Sequence, residues 1–150
     1  MRTFALIVAA ALVPVPALAA TTVTHYPVEG FPPSLSTSPP LSQAVMAGDT
    51  LYISGTTDHD PATGKPANDP TAGAKIVLDN VKKVVEKAGL TMDDLVWVQI
   101  FAADLKDYAA FNAVYRTYFK GAMPARAFIG AGSLLGGAHF EVMGIAVKPK

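Results

Sequence analysis

Arg126 and Glu141 are the two residues of this chain whose types and spacing point most directly to chemistry. Arg126 follows a proline turn in Pro124-Ala125-Arg126-Ala127, and Glu141 lies fifteen positions later in the apolar run 139–147. An arginine grips a carboxylate through two parallel hydrogen bonds and stays charged at ordinary pH. A glutamate in a buried strand is costly unless it has a partner or a role. We therefore expect an anion-binding cation and an acid/base group at the ends of two neighbouring strands, with a structural ion pair as the alternative.

The N-terminal residues 1–19 have the features of a signal peptide. A short basic start, an apolar run from Phe4 to Val13 and the small-x-small segment Ala17-Leu18-Ala19 occur in the order that export requires. The run is too short to span a bilayer. We expect an exported protein, periplasmic or secreted, that does not bind membranes; a retained membrane-anchoring N-terminus is the alternative.

The composition excludes several function classes. The chain has no cysteine, which removes disulfides, thiol nucleophiles and thiolate metal sites. Twelve basic and twelve acidic side chains balance, so no nucleic-acid surface is expected. The histidines, His25, His59 and His139, occur singly and without metal-ligand spacing, and Ser133 lies in a glycine-rich turn rather than a nucleophile elbow. We expect neither a metal nor a cofactor.

The 150 residues carry no internal repeat and predict one domain, residues 40–150, behind an extended proline-rich lead-in at 20–39. A polar loop is expected from Asp58 to Asp69. Apolar periodicity and flanking turn residues then predict strands at 43–47, 50–54, 95–103, 127–131 and 139–147, and helices at 70–88 and 107–120. The order β-β-α-β-α-β-β indicates an α+β fold with both helices on one face of a mixed sheet.

An aromatic stripe on the second predicted helix has two possible roles, a cofactor platform or core packing. The stripe consists of Tyr108, Phe111, Tyr115 and the pair Tyr118 and Phe119. Side chains at that spacing are usually core, and we assign the stripe to the core.

From about Pro40 to Val147 the chain resembles the RidA/YjgF family of reactive-intermediate deaminases. No single motif carries the resemblance, which lies in the order and spacing of Ser42-Gln43-Ala44-Val45, 48–55, Asp60-Pro61-Ala62-Thr63-Gly64, Leu78-Asp79-Asn80-Val81, Ala88-Gly89-Leu90, 111–115, Pro124-Ala125-Arg126 and 141–147. The family implies a chorismate-mutase-like fold and a homotrimer whose sheets pack around a central barrel, with a pocket at each subunit interface. Trp97 and Phe101, on a strand that is apolar on both sides, are compatible with that packing.

The resemblance also implies a reaction, the hydrolysis of 2-enamino and 2-imino acids such as 2-iminopropionate to 2-oxo acids and ammonia. Arg126 matches the family's carboxylate-binding arginine, and Glu141 matches its water-orienting glutamate. Ser54, Gly55 and Asn112 match residues that line the family pocket. Ribonuclease activity is also attributed to this family, but a neutral composition and an export signal argue against RNA as a partner here.

Several positions depart from the family pattern. Leu41 replaces the tyrosine of the usual Pro-Tyr-Ser, Thr56-Thr57-Asp58 replaces Gln-Ile-Pro, Phe128 stands where Cys or Val is common, and Met143 replaces a glutamate. The charged groups remain while the pocket wall changes, which favours altered substrate choice. The competing hypothesis is a non-catalytic trimer that binds small carboxylates or acts as a chaperone-like protein.

Overall fold

A computed structural model of the chain describes residues 20–29 and 39–150, so the predicted signal peptide, residues 1–19, lies outside the described residues. The helices are α1 (Pro70–Lys87) and α2 (Tyr108–Tyr115). The strands are β1 (Val23–Pro27), β2 (Ser42–Ala47), β3 (Thr50–Thr57), β4 (Leu95–Ala102), β5 (Ala125–Gly130) and β6 (Phe140–Val147).

The strands form one mixed sheet in the order β1-β2-β3-β6-β4-β5. Only β4 and β5 are parallel, and the other neighbours are antiparallel. The predicted α+β fold with a mixed sheet is confirmed. The structure adds β1, which lies in the predicted lead-in and pairs with β2 from Val23 opposite Ala47. This strand escaped prediction because its five residues are mostly exposed and form regular structure only through that pairing.

Helix α1 has the boundaries that its capping residues predict. The Asp69 side chain accepts a 2.9 Å hydrogen bond from the backbone N–H of Ala72, and Pro70 occupies the first turn. Gly89, with φ of +79°, follows the helix end. Helix α2 is shorter than predicted, since it ends at Tyr115 and continues only as a single 3₁₀ turn, Arg116–Tyr118. Neither helix is long and apolar enough to cross a membrane.

The two faces of the sheet differ in their packing. Alternate residues of the central strands, among them Leu51, Ile100 and Val142, are buried in a core with the apolar side of α1. The opposite face, called the open face here, carries a row of cross-strand partners, Val45, Tyr52, Ile145 and Trp97. Tyr52 in that row is 50% exposed. The open face is therefore an apolar surface that no element of the described chain covers.

Candidate functional site

Arg126 is the second residue of β5 and is held by aromatic rings. It lies opposite Val98 of β4, whose side chain is buried in the core, so Arg126 points to the helix face of the sheet. Its guanidinium carbon lies 4.8 Å from the ring centre of Tyr115, 5.8 Å from Tyr108 and 6.0 Å from Phe128. Within the described residues no carboxylate lies within 4.0 Å of Arg126. The rings orient the cation, and among the described residues no carboxylate competes with an anion for its N–H groups.

A cavity of about 190 Å³ opens between β5 and α2, and we call it the arginine cavity. Asn112 lines it together with Arg126, so the structure brings these two predicted site residues together. The other lining residues are Tyr108, Tyr115, Arg116, Met123 and Pro124. Two arginines and one asparagine line the cavity and no acidic residue does, which suits it to an anionic ligand.

Tyr115 adds a buried phenol beside Arg126. Its hydroxyl is a buried side-chain polar atom without a hydrogen-bond partner among the described residues. Burial raises the pKa of Tyr115 to about 12, and the charge of Arg126 lowers that pKa in part. The phenol therefore stays neutral and keeps its proton under all ordinary conditions.

Phe128 forms a wall behind Arg126 on the same side of β5. Its ring meets Tyr108 edge-on at 5.0 Å and lies 5.5 Å from Phe111 and 6.5 Å from Phe140. Phe128 thus links the arginine cavity to the core, and it does not itself line the cavity. The assignment of the whole aromatic stripe to the core is wrong at Tyr108, which is 48% exposed and faces Arg126.

Glu141 lies on the open face, opposite Thr57 of β3 and Phe101 of β4. The strand register of β3 against β6 shifts between Ile53 and Thr56, and Gly55 sits in that irregularity. A Cβ atom built on Gly55 would lie 2.1 Å from a carboxylate oxygen of Glu141. The Glu141 carboxylate can occupy its position only because Gly55 has no side chain.

Ser54 and Leu41 lie beside Gly55 around a second cavity of about 180 Å³. The Ser54 hydroxyl donates a 2.7 Å hydrogen bond to the backbone carbonyl of Ser42, so it can only accept a hydrogen bond from a ligand. Leu41 is 54% exposed at the rim and offers no polar atom on its side chain. Glu141 does not line this cavity, and Gly55 is the residue that borders both the cavity and the Glu141 carboxylate. We call Leu41, Ser54, Gly55 and Glu141 the glutamate group.

The arginine cavity and the glutamate group are separate in one chain. Strand β4 lies between β5 and β6, so the prediction that Arg126 and Glu141 end neighbouring strands is wrong. Their partners on β4, Val98 and Phe101, are three residues apart and point to opposite faces. At about 3.3 Å per residue and about 4.8 Å per strand, the separation is more than roughly 10 Å. The alternative of a structural ion pair within the chain is therefore also wrong.

A buried polar pair that the sequence did not reveal lies at the start of β6. The carboxylate of Asp58 is fully buried and accepts hydrogen bonds from the backbone N–H groups of His139 and Phe140, at 2.8 and 3.1 Å, and from Nδ1 of His139 at 2.8 Å. The first residue of the expected polar loop, Asp58, is therefore buried and fixes the loop to the start of β6. Its only sequence signal is the departure from the family pattern at Thr56-Thr57-Asp58.

The histidines make separate contacts. His59 Nδ1 lies 2.7 Å from the Thr57 hydroxyl, and His25 Nδ1 lies 3.2 Å from the Ser42 hydroxyl. Across residues 20–29 and 39–150, no group of three or more His, Asp or Glu side chains could share a metal ion.

Comparison with known proteins identifies the family. The model of the family described as endoribonuclease L-PSP matches residues 33–148. A RutC family protein of Haemophilus influenzae is 40% identical over 113 residues, which cover 73% of this chain and 87% of that protein. The 2-iminobutanoate/2-iminopropanoate deaminase of Mus musculus is 36% identical over 110 residues, covering 73% and 82%.

The fold agrees with the same family. The crystal structure of the YjgF gene product from E. coli matches with a TM-score of 0.74 and 33% identity, covering 84% of this chain and 99% of that chain. The order of the motifs, the mixed sheet with two helices and these matches lead to one conclusion: the chain belongs to the RidA/YjgF family, whose model carries the description endoribonuclease L-PSP.

Proposed function

We propose that the protein hydrolyses 2-enamino and 2-imino acids to 2-oxo acids and ammonia, and that it does so without a cofactor. The observation that carries the proposal is the guanidinium of Arg126, which lies 4.8 Å from the ring centre of Tyr115 in a cavity without acidic side chains. The name of the mouse relative, 2-iminobutanoate/2-iminopropanoate deaminase, supports the same reaction class.

Each residue has a distinct role in this proposal. Arg126 holds the α-carboxylate of the substrate through two parallel hydrogen bonds, and Asn112 donates or accepts a further hydrogen bond. Water attacks C2 of the C=N bond while Glu141 takes a proton from that water. The proton held by Glu141 passes to the nitrogen and gives a neutral carbinolamine. Glu141 then takes the hydroxyl proton of the carbinolamine and delivers it to the nitrogen as the C–N bond breaks, so that ammonia leaves. The 2-oxo acid remains, and no oxidant or other reactant is consumed.

The separation of the two groups supports an assembly with shared sites. One chain holds Arg126 on the helix face and Glu141 on the open face, so a substrate that meets both needs the glutamate group of a second copy. The uncovered apolar row on the open face is a surface that such copies could bury. We propose a homotrimer in which the arginine cavity of one protomer meets the glutamate group of its neighbour.

The second candidate function is carboxylate binding without catalysis. It is favoured by Leu41, which is exposed at the rim of the glutamate group and cannot supply the hydroxyl that a tyrosine would bring there. In this case Arg126 would still bind 2-oxo acids, and the rate of imine hydrolysis would equal that in buffer.

The deciding experiment measures two quantities on the same preparations. Ammonia release from freshly generated 2-iminopropionate reports hydrolysis, and calorimetric titration with pyruvate reports carboxylate binding. We expect the wild type to accelerate hydrolysis and to bind pyruvate, and Arg126→Ala to lose both. Glu141→Gln should keep binding while hydrolysis falls, because its role is with the water.

A matched control removes a positive charge elsewhere. Lys82 pairs with Glu86 on the solvent side of α1, so Lys82→Ala should retain both properties. If the wild type bound pyruvate but did not accelerate imine hydrolysis, the enzymatic function would be rejected and the carboxylate-binding function supported. Hydrolysis and binding that survive in Arg126→Ala would show that the site lies elsewhere.

We also propose that the mature protein starts near Ala20 and acts outside the cytoplasm, in the periplasm or the medium. The motif order in residues 1–19 is the support. Intact-mass measurement of protein recovered from the periplasm and from the medium tests it, and a cytoplasmic species that retains Met1 or Arg2 would contradict it.

A further inference from the structure

The arginine cavity contains a second cation that the proposed reaction does not use. Arg116 lines the cavity beside Arg126, and these are the two arginines of the described residues. Arg116 follows Asn112 by four positions, a spacing that places both side chains on the same side of a helix. Asn112, Arg116 and Arg126 therefore surround one volume.

The charges around this cavity are unbalanced. No Asp or Glu lines it, and Arg116, like Arg126, has no carboxylate within 4.0 Å among the described residues. Two arginine side chains that line one cavity repel each other, and the repulsion grows as water is excluded. A ligand with one negative charge relieves part of that repulsion, and a ligand with two relieves more.

The size of the cavity limits the class of ligand. Its volume of about 190 Å³ is below the roughly 300–1,000 Å³ of sites for drug-sized molecules. It is several times the ~30 Å³ that one water molecule occupies in the liquid. The part of the site that one chain supplies is therefore sized for a small acid rather than for a nucleotide or a peptide.

We propose that Arg116 makes the site selective for 2-imino dicarboxylic acids with four or five carbons. This proposal rests on the proposed function, and it names the substrate class of that site. Arg126 binds the α-carboxylate, and Arg116 binds the carboxylate at the far end of the substrate. Hydrolysis then converts a 2-imino dicarboxylate and water to a 2-oxo dicarboxylate and ammonia, with the same atom balance as for the simpler acids.

The test compares two stable acids that share a five-carbon chain, 2-oxoglutarate and 2-oxopentanoate. Only the first has a distal carboxylate. Calorimetric titration at fixed salt should show that the wild type binds 2-oxoglutarate at least tenfold more tightly than 2-oxopentanoate. In Arg116→Ala this ratio of affinities should fall to about one, and Arg116→Lys should give an intermediate ratio because a point charge lacks the two-pronged geometry.

Lys120→Ala is the matched control for a general loss of positive charge. Lys120 lies four residues beyond Arg116, is exposed and does not line the cavity, so its removal should leave the ratio at the wild-type value. The ratio of affinities also controls for stability, because partial unfolding lowers the apparent affinity for both acids by the same factor.

Failure of this proposal differs from failure of the proposed function. If the wild type binds both acids equally, or if Arg116→Ala keeps the wild-type ratio, the selectivity is overturned while a loss of binding in Arg126→Ala still supports the anchor. If the wild type binds neither acid, the selectivity is overturned, and the pyruvate titration and the imine assay decide the proposed function separately. If the ratio of affinities fell as far in Lys120→Ala as in Arg116→Ala, the assignment of the selectivity to Arg116 would also be overturned.

Discussion

The carboxylate of Asp58 accepts a 2.8 Å hydrogen bond from Nδ1 of His139, eighty-one residues further along the chain. Because an ionised carboxylate can only accept, this contact places the ring proton on Nδ1 and leaves Nε2 without one in the neutral ring. The same carboxylate accepts hydrogen bonds from the backbone N–H groups of His139 and Phe140, the two residues that precede Glu141. Asp58 thus joins the end of β3 to the strand that carries the proposed general base.

Asp58→Ala should be strongly destabilising. The substitution leaves two backbone donors and one ring donor without their buried acceptor, so we expect the free energy of unfolding to fall by about 3–5 kcal/mol. Urea denaturation measures the loss, with the exposed Asp49→Ala as a control that should cost less than about 1 kcal/mol. A similarly small loss for Asp58→Ala would mean that the buried pair contributes little.

Gly55→Ala should lower the rate of imine hydrolysis with little loss of stability. The new Cβ would occupy the position of the Glu141 carboxylate, which is the flexible end of a side chain and can move away. We expect a loss of less than about 1 kcal/mol in unfolding free energy, a marked fall in imine hydrolysis and retained pyruvate binding.

Gly121→Ala is the matched control for Gly55→Ala, because a Cβ there meets no atom closer than 3.9 Å. That variant should hydrolyse imines as the wild type does. Full activity in Gly55→Ala would show that the present position of the Glu141 carboxylate does not matter to the reaction.

The limits of prediction from the sequence follow from the range of the interactions. Local signals were enough for α1, where Asp69, Pro70 and Gly89 mark the ends, and for Arg126 as a candidate site residue. The strand order was not accessible, because β4 pairs with both β5 and β6 through contacts far apart in the sequence. The face of the sheet to which each of Arg126 and Glu141 points, and hence their separation, follows from that strand pairing.

Asp58 shows the same limit in a single residue. In the sequence it begins a stretch rich in Asp, Pro and Gly, a composition that is typical of an exposed loop. Its burial depends on His139 and Phe140, which reach it only in the folded sheet. Arg116 was likewise not recognised as a site residue, because the packing of α2 beside β5 is what brings it to the cavity.

Arg126→Lys should restore little of what Arg126→Ala loses. A lysine keeps the charge but can neither form two parallel hydrogen bonds nor stack as a plane on Tyr115. Losing such a charge-assisted pair typically removes about 2–5 kcal/mol of binding, so we expect pyruvate affinity in Arg126→Lys to stay at least tenfold below the wild type. Affinity within about twofold of the wild type would show that charge alone suffices.

Tyr115 should make the protein sensitive to alkali. Burial raises the pKa of Tyr115 from 10.0 to about 12, so the folded state holds the phenol proton more tightly than the unfolded state does. The resulting contribution to stability is complete below pH 10.0 and is lost as the pH rises to about 12. Unfolding free energies measured across this range should decline, and the decline should be smaller in Tyr115→Phe.

Tyr118 provides the comparison for this titration. Its pKa is also raised, by burial and by the hydrogen bond that its hydroxyl donates to Asp79. The ultraviolet absorbance of tyrosinate should therefore show two late-titrating groups, one of which disappears in Tyr115→Phe and the other in Tyr118→Phe. An unchanged late phase in Tyr115→Phe would contradict the assignment.

Tyr52→Asp should abolish assembly and activity together. Tyr52 lies in the apolar row on the open face between Val45 and Ile145, and a carboxylate buried there in a trimer would lose its hydration without gaining a partner. Native mass spectrometry should find a trimer for the wild type and a monomer for Tyr52→Asp, and imine hydrolysis should be lost because the arginine cavity and the glutamate group no longer meet.

Thr71→Asp adds the same charge to an exposed position in the first turn of α1, so it should remain trimeric and active. A wild-type monomer that hydrolyses imines would contradict the shared site, since Arg126 and Glu141 lie on opposite faces of the sheet within one chain.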